Sequence, residues 1–238
     1  MFERNESIGG SLEKSAVPEQ SQEHIEQSET KHEGVLGRLM DVVNSPGESK
    51  VILVSGLMKD EYEKSREALM DAGVKLIDGN NALGDLQSEI AKGGEQIIVV
   101  NRPNLLGEMI STAGNEEAQQ LLELSERSDD PKEKLLEWLK EAHERNPGAA
   151  PEVALKSVLD SMRAALGGLD MKLAIAPQSA LALALATFVR EKQINETSIG
   201  NTHNEYGGMG EALMVIKIEG GTIVVEVNGV PVGSRPLD

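Results

Sequence analysis

Apolar and polar positions follow different spacings along this chain, and each spacing predicts a different element. In "VLGRLMDVVNS" the residues Val35, Leu36, Leu39, Met40 and Val43 recur at helical intervals, and "SPG" closes that helix. "KVILVSG" is an unbroken apolar run of strand length, the pattern of a strand buried on both faces. "KDEYEKSREALMDAG" returns to helical spacing through Tyr62, Leu69 and Ala72, with Gly73 where a helix stops. "VKLI" and "QIIVV" are two more apolar runs. The loop and helix "DGNNALGDLQSEIAKGG" lies between them, with Leu83, Leu86 and Ile90 on one stripe. Alternating strands and helices with apolar strands predict a parallel, doubly wound sheet.

The spacing then stays helical. "LLGEMISTA", "NEEAQQLLELSER", "DDPKEKLLEWLKEAHERN" and "APEVALKSVLDSMRAALGG" all read as helices. Asp130 is placed as an N-cap with Pro131 at the first helical position. The sheet resumes at "MKLAIA", residues 171–176. "PQSALALALATFVREKQ" follows as a helix that is apolar nearly all round and so deeply buried. "ALMVIKI" and "TIVVEV" are joined by the hairpin signal "EGG", and Asn228-Gly229 suits a type I′ turn into "VPV". Pro231 puts that last strand on an edge. The expected fold is therefore α/β: a Rossmann-like, mostly parallel sheet in a single domain over residues 35–238. It carries a helical insertion over about 105–168 and a C-terminal antiparallel β-meander over 212–233.

Composition refines this picture. Aromatic residues are only 2% of the chain, so the core is aliphatic and lacks the stacking platforms of single-strand nucleic-acid binders. Residues 1–34 hold eight acidic and three basic side chains with no sustained apolar period, and read as a disordered acidic tail. The formal charge of −17 argues against nucleic acid and against anionic lipid, and permits a basic protein partner. With no cysteine, disulfides and thiol chemistry are excluded, which fits a reducing, cytoplasmic setting. No charged-then-apolar leader is visible. The longest apolar run, "ALALALATFV", is half of what a membrane span requires. Export without a cleavable signal stays open.

Chemical motifs are sparse. No Walker or GxGxxG loop follows a strand. Gly208-Met209-Gly210 precedes a strand, so no helix N-terminus faces it. The histidines, His24, His32, His143 and His203, form no metal-ligand spacing, and neither a metal nor a cofactor is expected. Ser55 and Ser179 stand at strand–helix junctions without the glycines of a nucleophile elbow. What remains is positional. Ligands of open α/β sheets bind beyond the carboxyl ends of the strands. Ser55, Lys59, Asp78, Asn80, Asn81, Asn101, Arg102, Gln178 and Ser179 should fall there, with Asp78 and Arg102 free to pair with each other. The stretch "SIGNTHNEYGGMGEAL" reads as a long connection. If it folds over that rim, His203 and Tyr206 add donors and a general acid or base. The expected function is a protein-interaction or regulatory role. The alternatives are an enzyme or small-molecule binder using the rim, and an exported effector carried by its tail.

Overall fold

β-branched and leucine side chains suit a pleated, buried surface, and short runs of them form the centre of this fold. The computed structural model describes residues 34–45, 50–55, 59–93, 96–102, 105–111, 116–126, 130–175, 179–207 and 212–237. All but the last residue of the expected tail lies outside these, as do Gly208-Met209-Gly210, Gln178 and the side chains of Ser55 and Lys59. The chain begins with α1 (Gly34–Asn44), β1 (Lys50–Ser55), α2 (Lys59–Asp71), β2 (Lys75–Ile77), α3 (Ala82–Ala91) and β3 (Ile97–Val100). Four helices follow: α4 (Leu105–Ser111), α5 (Glu116–Glu126), α6 (Pro131–Arg145) and α7 (Pro151–Ala165). The remainder is β4 (Met171–Ile175), α8 (Ala180–Arg190), α9 (Glu196–Thr202), β5 (Met214–Glu219), β6 (Thr222–Val227) and β7 (Val230–Pro236).

The strands form one sheet in the order β2-β3-β1-β4-β5-β6-β7. β2, β3, β1 and β4 are parallel, and β4 through β7 are antiparallel neighbours. The Rossmann-like α/β reading thus describes one half of the sheet and the meander the other. The order itself departs from a simple outward winding, because β1 connects to β2 past the place that β3 later takes.

Side chains on a strand alternate between faces, and this splits the interior in two. Val51, Leu53, Ile98, Val100, Leu173 and Ile175 join a large core with residues of α3 through α9. Ile52, Val54, Val99 and Ala174 join a smaller core with Leu39 and Val43 of α1 and Tyr62 and Leu69 of α2. Trp138, fully buried in the large core, donates its indole N–H to Glu117 O at 2.9 Å. α8 is buried on every side from Ala180 to Val189, as its apolar circumference demands. Its one internal hydroxyl, Thr187, donates to Leu183 O at 2.8 Å.

The local signals resolve as turn and cap chemistry. Asp130 caps α6 by accepting from Glu133 N at 3.0 Å, with Pro131 at the first helical position. Asn228 and Gly229 have φ of 53° and 78°, the positive values that a type I′ hairpin turn requires. β7 is the sheet edge, where Pro231 leaves no interior ladder bond unmade.

One expectation is corrected. The stretch from Ser198 is not a long connection: α9 and a π-helical turn, His203–Gly207, occupy most of its described part. A capping box begins this helix. Asn195 accepts from Ser198 N at 3.0 Å, and Ser198 Oγ accepts from Asn195 N at 2.9 Å. Burial of Ile199 and Thr202 outweighs the weak helix propensity of the Ser, Thr, Gly and Asn residues.

Candidate functional site at the carboxyl ends of the parallel strands

Crossovers between parallel strands are right-handed almost without exception, so the direction of travel along the sheet selects the face that the connecting helix covers. From β1 to β2 the chain moves one way. From β2 to β3 and from β3 to β4 it moves the other way. The helices separate accordingly: α2 packs in the smaller core, while α3, α4 and α8 pack in the larger one. The chain therefore leaves β1 toward one face and leaves both of its neighbours, β3 and β4, toward the opposite face. In open α/β sheets a divergence of this kind marks the strand end where ligands bind, here the carboxyl end of β1.

Three of the expected residues gather on one side of that strand end. Asp78 follows β2, and Asn101 and Arg102 follow β3. Asn101 N donates to Ile77 O at 3.3 Å, holding the two strand ends in step. Arg102 Nη1 donates to Gly79 O at 2.9 Å, and its Nη2 pairs with Glu108 at 2.8 Å. Asp78 pairs with Arg66 of α2 at 3.4 Å. Asp78 and Arg102 thus do not pair with each other; each is held by a different neighbour. Ser179 stands across β1, at the N-cap of α8. Its carbonyl accepts from Leu183 N at 3.1 Å, and its side chain makes no cap bond. Asn80 and Asn81 are exposed on the loop beside Gly79.

No family model, curated protein sequence or solved structure matches the chain.

Tyr62, which periodicity alone identifies only as core, buries a polar group of its own in the smaller core. It lies in the first turn of α2, is 2% exposed, and its hydroxyl has no hydrogen-bond partner among the described residues. Burial pushes the phenol up to about 12, and the nearby Asp78 carboxylate adds to the effect. Tyr62 is therefore protonated at neutral pH, and among the described residues its hydroxyl finds no partner. Such orphans are rare in native proteins, because leaving a buried polar group unpaired costs about 1–3 kcal/mol.

His203 and Tyr206 lie elsewhere. Tyr206 donates to Glu205 Oε1 at 2.7 Å, Glu205 pairs with Arg190 at 2.7 Å, and the Arg190 guanidinium sits 5.3 Å from the centre of the Tyr206 ring. Arg190 ends α8. Arg235 of β7 fixes that end by donating to Phe188 O at 2.9 Å. Strand pairing runs from Arg235 through Ile223 and Ile218 to Met171, the first residue of β4. Arg190 is thus at the end of α8 remote from Ser179 and from the rim. The Tyr206 phenol is pushed upward by burial and by its bond to Glu205, the direction opposite to that of a general base at neutral pH. Glu205 is held low by the Tyr206 and Arg190 contacts. These groups tie the π-helical turn to α8. His203 lies against Gly207, where an added methyl group would overlap its ring.

Among the described residues no group of His, Asp and Glu could hold a metal ion. An open cavity of about 420 Å³ lies beside Asn195, Ser198 and Asn201, where Asn195 Oδ1 and Ser198 Oγ are engaged in the capping box. No helix among the described residues is long and apolar enough to cross a membrane.

Proposed function

We propose that this protein binds a small polar ligand at the carboxyl end of β1. The observation that supports this is the departure of the chain from β1 toward one face and from β3 and β4 toward the other. Asn101 and Arg102 form one wall of the site, with Asp78 beside them, and Ser179 belongs to the wall across β1. A thermal-shift screen of sugars, nucleotides and phosphates against the full chain tests it, with Asn101→Ala and Arg102→Ala as variants. A compound that stabilises the chain and loses most of its effect in either variant supports the reading. Hits indifferent to both variants refute it.

A second reading, a protein-interaction role, has its own support. The smaller core extends only as far as Leu213 and Val215 and contains no described residue of β6 or β7. Val224, Lys217 and Glu226 are half-buried on that face of the meander, and Lys217 pairs with Glu226 at 2.6 Å. A half-covered sheet face with apolar and charged groups suits a partner surface. A pull-down with Val224→Asp tests it: loss of a partner that the unaltered chain retains supports it, and unchanged retention counts against it.

A further inference from the structure

We propose that β7 is a blocked edge: Pro231 and Pro236 keep a further strand, and above all a second copy of this chain, from extending the sheet.

An edge strand presents a row of unpaired N–H and C=O groups to any strand that comes alongside. Among the described residues β7 ends the sheet, with β6 on its one paired side. In an antiparallel ladder, residues that point their backbone groups at the neighbour alternate with residues that point away. Two anchors fix the phase in β7. Leu237 N donates to Gly221 O at 2.8 Å, so Arg235 and Gly233 point inward, and Pro236 and Ser234 outward. At the other end Val230 faces Val227 across the two-residue Asn228-Gly229 turn, which makes that pair inward and Pro231 outward. The two phases meet because the register slips between Val225 and Glu226, which leaves Val232 as the extra residue of a bulge. The outward positions are therefore Pro231, Ser234 and Pro236, and all three are exposed. A proline at such a position has no hydrogen to donate, and its ring stands where an arriving strand would place its carbonyl. Of the three, only Ser234 can donate.

β7 is also held so that it cannot turn another side outward. Arg235 donates to Phe188 O at 2.9 Å and to Glu191 O at 3.3 Å. Gly233 lies so close to α8 that an added Cβ would stand 3.3 Å from Val189 O. The opposite edge, β2, is three residues long, too short to template another strand. A second copy is the partner most directly refused. A two-fold axis would set two identical β7 edges side by side and antiparallel, and the prolines remove donors from both at once.

The test uses the full chain and the double variant Pro231→Thr/Pro236→Thr. Threonine restores both N–H groups with a polar, strand-favouring residue, and because both positions point outward no bond to β6 is lost. Sedimentation from about 10 to about 300 µM should show an association step in the variant at least about tenfold stronger than any in the unaltered chain. Amide hydrogen exchange locates it. In the unaltered chain the Ser234 N–H should exchange at least about tenfold faster than those of Gly233 and Arg235, and it should slow by a similar factor in the associated variant. Slow exchange at Ser234 in the unaltered chain overturns the outward assignment, whether or not the variant folds. A folded variant that gains no association overturns the role of the prolines, and so does association that leaves Ser234 fast.

Discussion

Tyr62→Phe removes one oxygen atom from the buried side of α2 and leaves the ring in place. Tyr62 is 98% buried, and its hydroxyl has no partner among the described residues. An unpaired buried hydroxyl costs about 1–3 kcal/mol, whereas the void left by a single oxygen is small. Tyr62→Phe should therefore stabilise the protein at neutral pH by about 1–2 kcal/mol, or roughly 3 °C in Tm per kcal/mol for a chain of this size. A second consequence concerns alkaline pH. The folded phenol titrates at about 12, against about 10 in an unfolded chain. Between those values the folded state keeps a proton that the unfolded state has lost, so stability falls as pH rises through the window. Two pH units correspond to about 2.7 kcal/mol, fully present below pH 10 and gone above pH 12. Urea unfolding of both proteins from pH 7 to 12, followed by the fluorescence of the single, buried Trp138, measures the effect. The difference curve cancels Tyr206, whose phenol is also raised, and Lys50 and Lys172, whose lowered values act with the opposite sign. Destabilisation of Tyr62→Phe by more than about 1 kcal/mol at pH 7 would refute the reasoning, because it would mean that the hydroxyl has a bond worth keeping. An unchanged alkaline slope would do the same.

Other substitutions test the framework around the site. Trp138→Phe removes the donor to Glu117 O and leaves a cavity between α5 and α6, so a loss of about 2–4 kcal/mol in urea unfolding followed by circular dichroism is expected. Asp130→Ala deletes the cap of α6 and should cost about 1 kcal/mol, with Asp130→Asn restoring most of it. Asn228→Ala loses both a residue tolerant of positive φ and the acceptor for Leu213 N at 3.1 Å; about 2 kcal/mol is expected, and Asn228→Gly should recover only the backbone part.

Much of the fold was legible because its signals are local. The apolar runs at Val51–Val54 and Ile97–Val100, the helical stripes on α6 and α7, Asp130-Pro131 and Asn228-Gly229 each act within a few residues. The helix at Glu196–Thr202 was missed although "NETS" carries a cap signal, because Gly200 and Asn201 have low helix propensity and the burial that stabilises it comes from distant elements. The placement of these residues at the strand ends was legible, and their pairing was not. Asp78, Asn101 and Arg102 come together as expected from the strand ends. That Arg66 takes Asp78, and Glu108 takes Arg102, depends on where two helices settle. His203 and Tyr206 followed α9 to a different part of the molecule.

The sequence by itself determined the class of elements, their order, the aliphatic core and the hairpin turns, since each follows from spacing, propensity and φ preference along a short stretch. Only the tertiary structure decided the strand order, the packing of α1 and α2 on the face opposite the other helices, and the lack of a partner for the Tyr62 hydroxyl among the described residues. Those depend on which apolar face covers which, and on whether a buried polar atom meets a partner from a segment far away in the chain. A strand order and an unpaired buried hydroxyl depend on groups far apart in the chain, and no short stretch of sequence carries that information.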